Sequence, residues 1–410
     1  MNPAIAELLR SPGVARVLSV LNQEEEEARI AGGAVRDALL GKIPEDVDFA
    51  TTAEPATTER LAKDAGIRTV PTGRDHGTIT FLLEGRTYEV TTLRRDVETD
   101  GRRAVVAFGR DWAEDARRRD LTINGLFLDR HGLVHDHVGG IDDLQHSRVR
   151  FIGNAGMRIR EDYLRVLRFF RFFSRFADGP PDAEAMSAAI RERHGLRTLS
   201  RERVRSELLK LLVTRRASET MTLMEEAGLL NVLTGGVARL ARLQRLAEIE
   251  AGTGRLPDNV LRLGALAVFT QEDVDRLQER LRLSRAETER LSAMAGTHCG
   301  LDPAADAKKR RQILYQLRPA AFVDGVLLGW AGSGAHADAE AWHDLLAFPQ
   351  SWTPPQPPFR AEDFIRLGLP HGPRLGHALR LAERFWRDAD FPDDAGSLQS
   401  IRQQAFSHAG

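Results

Sequence analysis

The sequence is poor in cysteine and in long apolar runs. Its 410 residues include one cysteine, Cys299, which excludes a disulfide framework and a cysteine-based zinc site. No window approaches ~18 uninterrupted apolar residues, which excludes a transmembrane helix. The first residues, MNPAIAELLRSPGVARVL, lack the compact apolar run of a signal peptide. These absences predict a cytoplasmic protein without membrane contact.

Charge is balanced over the whole chain but not along it. With 58 Lys and Arg against 59 Asp and Glu, the formal net charge is -1, which argues against a uniformly basic nucleic-acid coat. Residues 148–216 nevertheless hold seventeen basic and eight acidic residues, an excess of nine positive charges. Such a local excess is typical of a nucleic-acid-binding face, although Arg–Glu pairs on solvated helices account for part of it.

The pattern of apolar residues changes near residue 150. The segment His76–Leu93 (HGTITFLLEGRTYEVTTL) predicts a β-hairpin turning at Glu84-Gly85. Further predicted strands are Ile123–Leu128 and Leu133–His135, and the predicted helices are Ala34–Leu40, Pro55–Ala65 and Trp112–Arg118. From Met157 onward, apolar residues recur at helical spacing with almost no strand pattern.

The chain is therefore predicted to be an α+β head with a mixed sheet and helices, followed by all-α regions. We expect the head at residues 1–150, a helical neck at 151–216 and a helical body at 217–348. Five prolines between Pro349 and Pro358 indicate an extended linker. The linker and a helical tail would occupy residues 349–410.

Carboxylates follow a glycine turn in the predicted head. Gly32-Gly33 precede a helix, where backbone amides can approach a phosphate, although a simple tight turn has the same pattern. Asp46 and Asp48 alternate in a strand-like run and so project to one side, and Glu89 could point to the same place. Mg²⁺, which prefers oxygen ligands, would relieve their repulsion. A solvated strand end is the alternative.

A second candidate site lies in EDYLRVLR, which predicts the start of a helix. Asp162 and Arg165 are three residues apart and would share one helix face, either as an ion pair or as a reading site for a base. A carboxylate beside a guanidinium complements the amino donor and the neighbouring acceptor of both cytosine and adenine. Guanine and uracil present a carbonyl and an N–H there, so they would meet the wrong partners.

Several motifs follow one another in a distinctive order: GGAVRD, DVDFAT, TGRDHGTITF, YEVTTLRRDVETDGR and RRDLTING. This order resembles the bacterial-type (class II) tRNA nucleotidyltransferase and poly(A) polymerase family, densely over residues 30–216. The resemblance implies a head of the polymerase-β type with Mg²⁺ on Asp46 and Asp48, and Glu89 assisting metal binding or holding the attacking hydroxyl. It implies that Asp162 and Arg165 are the protein template for the base. The other implied nucleotide contacts are Gly33, Arg36, Arg119, Arg168 and Arg171.

Within this family the chain is most similar to a CCA-adding enzyme. Such an enzyme extends the tRNA 3′ end from CTP and ATP, releases pyrophosphate and uses no nucleic-acid template. A poly(A) polymerase or a CC-adding enzyme is the alternative, although Arg95–Arg102 resembles a loop that CC-only enzymes lack. Outside the enzyme class, the chain could be a catalytically silent tRNA-binding protein, which three intact carboxylates disfavour. Arg201 and Arg205 are the expected tRNA contacts in the neck, and the tail is expected to contact tRNA as well. No protein partner can be inferred.

Overall fold

The computed structural model describes residues 2–73, 77–99, 104–296 and 301–409. The chain forms two compact units, Met1–Gly235 and Gly236–Gly410. Cys299 lies outside the described residues, as do parts of the TGRDHGT motif and of the predicted loop Arg95–Arg102. Within the described ranges, none of the helices has the length and apolar character needed to cross a bilayer.

A mixed sheet forms the centre of the first unit. The strands are β1 (Ala28–Ala31), β2 (Asp48–Thr51), β3 (Arg68–Gly73), β4 (Thr78–Leu83), β5 (Arg86–Thr92), β6 (Arg94–Thr99), β7 (Ala104–Phe108), β8 (Leu126–Leu128) and β9 (Val134–Asp136). Seven of them lie side by side in the order β3-β4-β5-β2-β1-β8-β9, and β6 pairs with β7. β2 and β5 are parallel, whereas the other pairs are antiparallel. The mixed sheet expected from the sequence is thus confirmed.

The helices of the first unit pack on both faces of the sheet and then form a bundle of their own. They are α1 (Pro3–Arg10), α2 (Pro12–Leu21), α3 (Gly33–Leu39), α4 (Pro55–Asp64), α5 (Trp112–Arg117), α6 (Gly140–Gln145), α7 (Ala155–Glu161), α8 (Leu164–Phe176), α9 (Ala183–Glu192), α10 (Arg201–Leu212), α11 (Ala217–Glu226) and α12 (Leu229–Thr234). Ile30, Phe49 and Val90 pack into the core formed with α1–α4. Their neighbours Ala31 and Ala50 face α5 on the opposite side, because successive strand residues alternate between faces.

The predicted hairpin is confirmed. β4 and β5 meet at Glu84 and Gly85, whose φ values of 53° and 75° suit the tight turn of a two-residue hairpin. Helices α3, α4 and α5 agree with their predicted bounds to within a residue at each end. The strand predicted at Ile123–Leu128 is wrong in its first half, because Thr122–Asn124 form a 3₁₀ turn and only Leu126–Leu128 pair in the sheet.

The helix predicted to open at Glu161 is present but begins three residues later, because the chain breaks at Asp162. Helix α7 ends at Glu161, Asp162 is extended (φ −155°, ψ 106°), and α8 begins at Leu164. The Asp162 carboxylate accepts a hydrogen bond from the Leu164 N–H at 3.1 Å, as an N-cap residue does. The Tyr163 ring lies so close to Gly195 that a Cβ there would approach it to 1.9 Å. Capping and packing together set the break.

The second unit is helical throughout its described residues, as predicted. Its helices are α13 (Leu240–Gly252), α14 (Asn259–Ala267), α15 (Gln271–Leu281), α16 (Arg285–Met294), α17 (Ala307–Ser333, kinked at Arg318), α18 (Glu340–Ser351), α19 (Ala361–Ile365), α20 (Pro373–Asp388) and α21 (Ala395–Ala409). The proline segment departs from the expected linker only in its first part, where α18 continues through Pro349; residues 352–360 form no helix or strand. Beyond that helix, Trp352 and Phe359 pack into one core with Trp386 of α20.

Candidate active site

A cavity opens in the first unit between β1, α3, α8 and the segment that follows α5. Its walls contain most of the predicted nucleotide-binding residues and one of the predicted metal ligands. The lining residues are Ala31, Gly32, Gly33, Arg36, Asp48, Arg118, Arg119, Asp120, Asn124, Asp162, Arg165, Arg168 and Phe172. The arginines outnumber the aspartates, so the cavity favours an anionic ligand with several oxygens, such as a triphosphate.

Asp48 and Glu89 lie on neighbouring strands of the sheet. In the parallel pair of β2 and β5, Phe49 is opposite Val90, so the residues that precede them, Asp48 and Glu89, are also neighbours. Tyr88 and Val90 are buried in the core of the other face, which leaves Glu89 exposed on the face of Asp48, as the sequence predicted. The sheet therefore brings these two carboxylates together.

The electrostatic surroundings of Asp48 disfavour its charged form. Partial burial is the largest influence that raises the pKa of this carboxyl, and the charges of Glu89 and Asp46 raise it further. Arg119 opposes the shift without cancelling it. A cation placed among these carboxylates would relieve the repulsion.

Asp46 does not lie in the strand, contrary to the sequence expectation. β2 begins at Asp48, and Asp46 lies in a bend just before it, held by the buried side chain of Val47. Asp46 borders a second cavity, lined also by Glu7 and Arg10. Across the described ranges, no three acidic, histidine or cysteine side chains are grouped so that they could hold one metal ion. The carboxylates available to a metal ion are thus Asp48 and Glu89 on the sheet, with Asp46 just before it. Substrate or water would supply the remaining oxygen ligands.

Two arginines are fixed in the cavity wall by buried contacts. Arg36 donates to Asn124 Oδ1 at 2.5 Å and pairs with Asp37 at 2.8 Å. Arg119 pairs with buried Asp115 at 3.2 Å and donates to the Asn124 carbonyl at 3.3 Å. Burial lowers the pKa of both guanidinium groups, with the neighbouring carboxylates opposing it. Such desolvated, pre-oriented cations would gain from a bound phosphate.

Gly32 is the glycine that the fold requires at this place. Its φ of 67° lies in the left-handed region, and a Cβ there would approach Nη1 of Arg119 to 3.1 Å. Gly33 begins α3 and also lines the cavity, as predicted.

The sequence analysis missed a buried aspartate that joins both sides of the cavity. Asp120 accepts from Arg168 Nε at 2.5 Å and from Asn124 at 3.3 Å. Burial alone would raise the pKa of Asp120, but the Arg168 charge and the hydrogen bonds hold it below its usual value. Asp120 and Asn124 lie within the motif RRDLTING. The sequence signal that could have identified Asp120 is an acidic residue directly after two arginines.

Asp162 and Arg165 both line the cavity, but they are not paired with each other. Asp162 pairs with Arg203 of α10 at 2.6 Å. Arg165 pairs with Glu161 and donates to the Arg158 carbonyl at 3.0 Å. The ion pair between Asp162 and Arg165, one of the two sequence-based alternatives, is therefore absent. Both side chains line the space where a base could lie.

Besides Asp46 and Glu89, three predicted residues lie outside the walls of this cavity. Arg171 pairs with buried Glu207 at 2.6 Å and lies 4.4 Å from the Phe172 ring centre. Arg201 and Arg205 belong to α10, and neither lines the cavity. Arg171 thus has a structural partner already, whereas Arg168 lines the cavity directly.

Family models match two segments of the chain. Residues 28–150 match the poly A polymerase head domain. Residues 182–239 match a segment described as the probable RNA and SrmB-binding site of polymerase A.

Known proteins match either nearly the full length of the chain or about half of it. CCA tRNA nucleotidyltransferase 1, mitochondrial, of Danio rerio is 35% identical over 97% of this chain and 92% of its own. A CCA-adding enzyme of Bacillus pumilus is 39% identical over 53% of this chain and 54% of its own. The crystal structure of Bacillus stearothermophilus CCA-adding enzyme in complex with CTP has a TM-score of 0.77 at 25% identity, covering 100% of this chain and 99% of that one. The chain belongs to the family of class II CCA tRNA nucleotidyltransferases, a family that generally uses a divalent metal.

Proposed function

We propose that this protein is a CCA-adding enzyme. It adds C, C and A to the 3′ end of tRNA, uses CTP and ATP, releases pyrophosphate and needs no nucleic-acid template. The observation that carries this proposal is that Asp162 and Arg165 line the same cavity as Asp48 and a group of arginines. The relative named CCA tRNA nucleotidyltransferase 1, similar along nearly the whole chain, supports it.

Different residues of the cavity would bind the triphosphate and the base of the nucleotide. Arg36, Arg119 and Arg168 would bind the triphosphate, because planar guanidinium groups bind phosphate oxygens in pairs. Asp162 would accept the amino hydrogen of cytosine or adenine, and Arg165 would donate to the adjacent ring acceptor. Uracil and guanine would place a carbonyl against the carboxylate, which repels it.

The carboxylates suit Mg²⁺ as the divalent metal. Asp46 and Asp48 would hold it, because Mg²⁺ commonly takes one or two carboxylates and completes its shell with water and phosphate oxygens. The proximity of Glu89 and Asp46 to Asp48 supports this, because their charges help to raise the pKa of Asp48 and a cation would offset them. When bound, the metal supplies Lewis-acid stabilisation of charge on the reacting oxygens. Glu89 would assist metal binding or hold the attacking hydroxyl.

The reaction is an in-line displacement at the α-phosphate. The 3′ hydroxyl of the tRNA loses its proton to water, its oxygen forms a bond to that phosphorus, and the bond to the pyrophosphate oxygen breaks. Arg36 and Arg119 stabilise the departing charge from fixed positions, so little reorganisation is needed during the reaction.

The rest of the chain would hold the tRNA. We propose the head at 1–150, the neck at 151–216, the body at 217–348 and the tail at 349–410, with Arg201 and Arg205 among the phosphate contacts of the neck. A cytoplasmic location also remains a proposal. The mitochondrial relatives make that organelle the alternative, which cell fractionation would distinguish.

The test is product length on a tRNA that lacks its CCA end. With CTP, ATP and Mg²⁺, the wild type should add three nucleotides and stop. The Asp48→Asn variant should add none, whereas Asp64→Asn, which changes an exposed aspartate of α4, should act as the wild type. A long A tail would indicate a poly(A) polymerase, two added nucleotides a CC-adding enzyme, and no addition by the wild type a silent tRNA-binding protein.

A further inference from the structure

Each residue of the base-reading pair is held by a different neighbour. One oxygen of Asp162 accepts the Leu164 N–H at 3.1 Å, and the other accepts from Arg203 at 2.6 Å. Arg165 instead pairs with Glu161. The charges of Asp162 and Arg165 therefore do not neutralise each other, although both residues line the same cavity beside the break between α7 and α8.

Arg203 comes from a different part of the chain, and its helix is well anchored. Glu207 lies one turn further along α10, on the same helix face, and pairs with Arg171 of α8 at 2.6 Å. Val204 and Leu208, between and beyond these residues, are buried. The position from which Arg203 reaches Asp162 is therefore set by packing on both sides.

The Arg203–Asp162 pair is too exposed to matter much for stability. The Arg203 side chain is 50% exposed and that of Asp162 is 33% exposed, and ion pairs in such surroundings contribute little to folding. What the pair does fix is the rotation of the carboxylate. A carboxylate has about four acceptor positions, so two remain for a base after the contacts to Leu164 and Arg203.

We propose that Arg203 is a positioning residue for base selection. It holds the Asp162 carboxylate in the rotation that directs the remaining acceptor positions to the amino group of cytosine or adenine. Without Arg203, the carboxylate can turn toward Arg165, and the mutual pairing of these two groups removes both partners of the base. This inference rests on the proposed function. It also makes α10, within the segment that matches an RNA-binding region, part of nucleotide choice.

The experiment compares kcat/KM for CTP and UTP on a tRNA primer that lacks CCA. Arg203→Ala should lower the CTP:UTP ratio about tenfold, the size of a lost base-edge contact. Arg203→Lys should give an intermediate ratio, because lysine keeps the charge but not the planar fork. The matched control is Arg60→Ala, which removes a similarly exposed arginine that is paired with Glu24 and does not line the cavity. It should leave the ratio unchanged.

A double-mutant cycle separates positioning from a general loss of charge. In an Asp162→Ala background, Arg203→Ala should lower the ratio no further, because the carboxylate that it orients is gone. An unchanged ratio in folded Arg203→Ala, or an equal further fall in the Asp162→Ala background, would overturn the proposal. If Arg203→Ala does not fold, Arg203→Lys decides by the same criterion.

Failure of the proposed function would look different. In that case the wild type itself would not complete CCA on the primer, and both proposals would fall. A wild type that adds CCA, with a ratio that changes in Asp162→Ala but not in either Arg203 variant, would overturn the Arg203 proposal alone.

Discussion

The buried pair between Asp120 and Arg168 allows a quantitative prediction of stability. Asp120 is 8% exposed and accepts from Arg168 at 2.5 Å, from Asn124 at 3.3 Å and from the Leu121 N–H at 2.8 Å. The Asp120→Asn variant keeps the shape of the side chain but leaves the Arg168 guanidinium without its counter-ion. Breaking a fully buried pair costs about 3–5 kcal/mol. Because the Arg168 side chain is 32% exposed, solvent screening reduces this loss, and we expect about 2 kcal/mol.

The pH dependence of this loss gives a second, independent check. The pKa of Asp120 is lower in the folded chain than its usual value, so the unfolded chain binds the proton more tightly. The stability from this carboxylate is thus present above the unfolded pKa, about 3.9, and is lost as the pH falls through the folded pKa. The difference in unfolding free energy between wild type and variant should stay constant from pH 7 to about pH 5 and decrease below pH 4.

Urea unfolding at several pH values measures both effects. Asp142→Asn is the matched control, because Asp142 is 59% exposed and its pair with Arg148 lies on the surface. We expect that control to lose less than about 1 kcal/mol. Equal unfolding free energies for Asp120→Asn and wild type at pH 7, or a gap that widens in acid, would refute the reasoning.

Three further predictions concern the site and the tRNA. Asp48→Ala, like Asp46→Ala, should abolish nucleotide addition but leave tRNA binding and the melting temperature at pH 7 undiminished, since it relieves repulsion; near-normal turnover would contradict the metal assignment. Arg201→Glu with Arg205→Glu should weaken tRNA binding, with CTP binding unchanged, and reduce its salt slope by ~1 for each lost phosphate contact; equal affinities at all salt concentrations would exclude this face. Asp162→Ala should lower the CTP:UTP ratio of kcat/KM roughly tenfold to a hundredfold; an unchanged ratio in a folded variant that still adds CCA would contradict the templating role.

Local patterns predicted the head well. Strand alternation around Glu84 and Gly85 gave the hairpin, and the placement of Asp48 and Glu89 on one face follows from the same alternation. These features depend on the two-residue period of a strand, which is visible in any sequence window.

The features that sequence reasoning missed depend on contacts between distant residues. EDYLRVLR contains no proline or glycine, and the break at Asp162 reflects its capping of Leu164, the packing of Tyr163 on Gly195 and the contact to Arg203. The role of Asp120 likewise depends on Arg168, which lies in a later helix. Motif order identified the family, but it did not indicate which charged residues partner one another.

The parallel pairing of β2 with β5 has a consequence for variants far from any substrate. One helix and two strands separate them in the chain, so a fragment that ends before β5 cannot bring Asp48 and Glu89 together. A register slip of one residue would turn Asp48 toward the apolar core and Phe49 toward solvent. Phe49 and Val90, buried on the opposite face, therefore help to keep the proposed catalytic carboxylates in register. Substitutions that loosen them could appear as losses of catalysis in a protein whose binding residues are all intact.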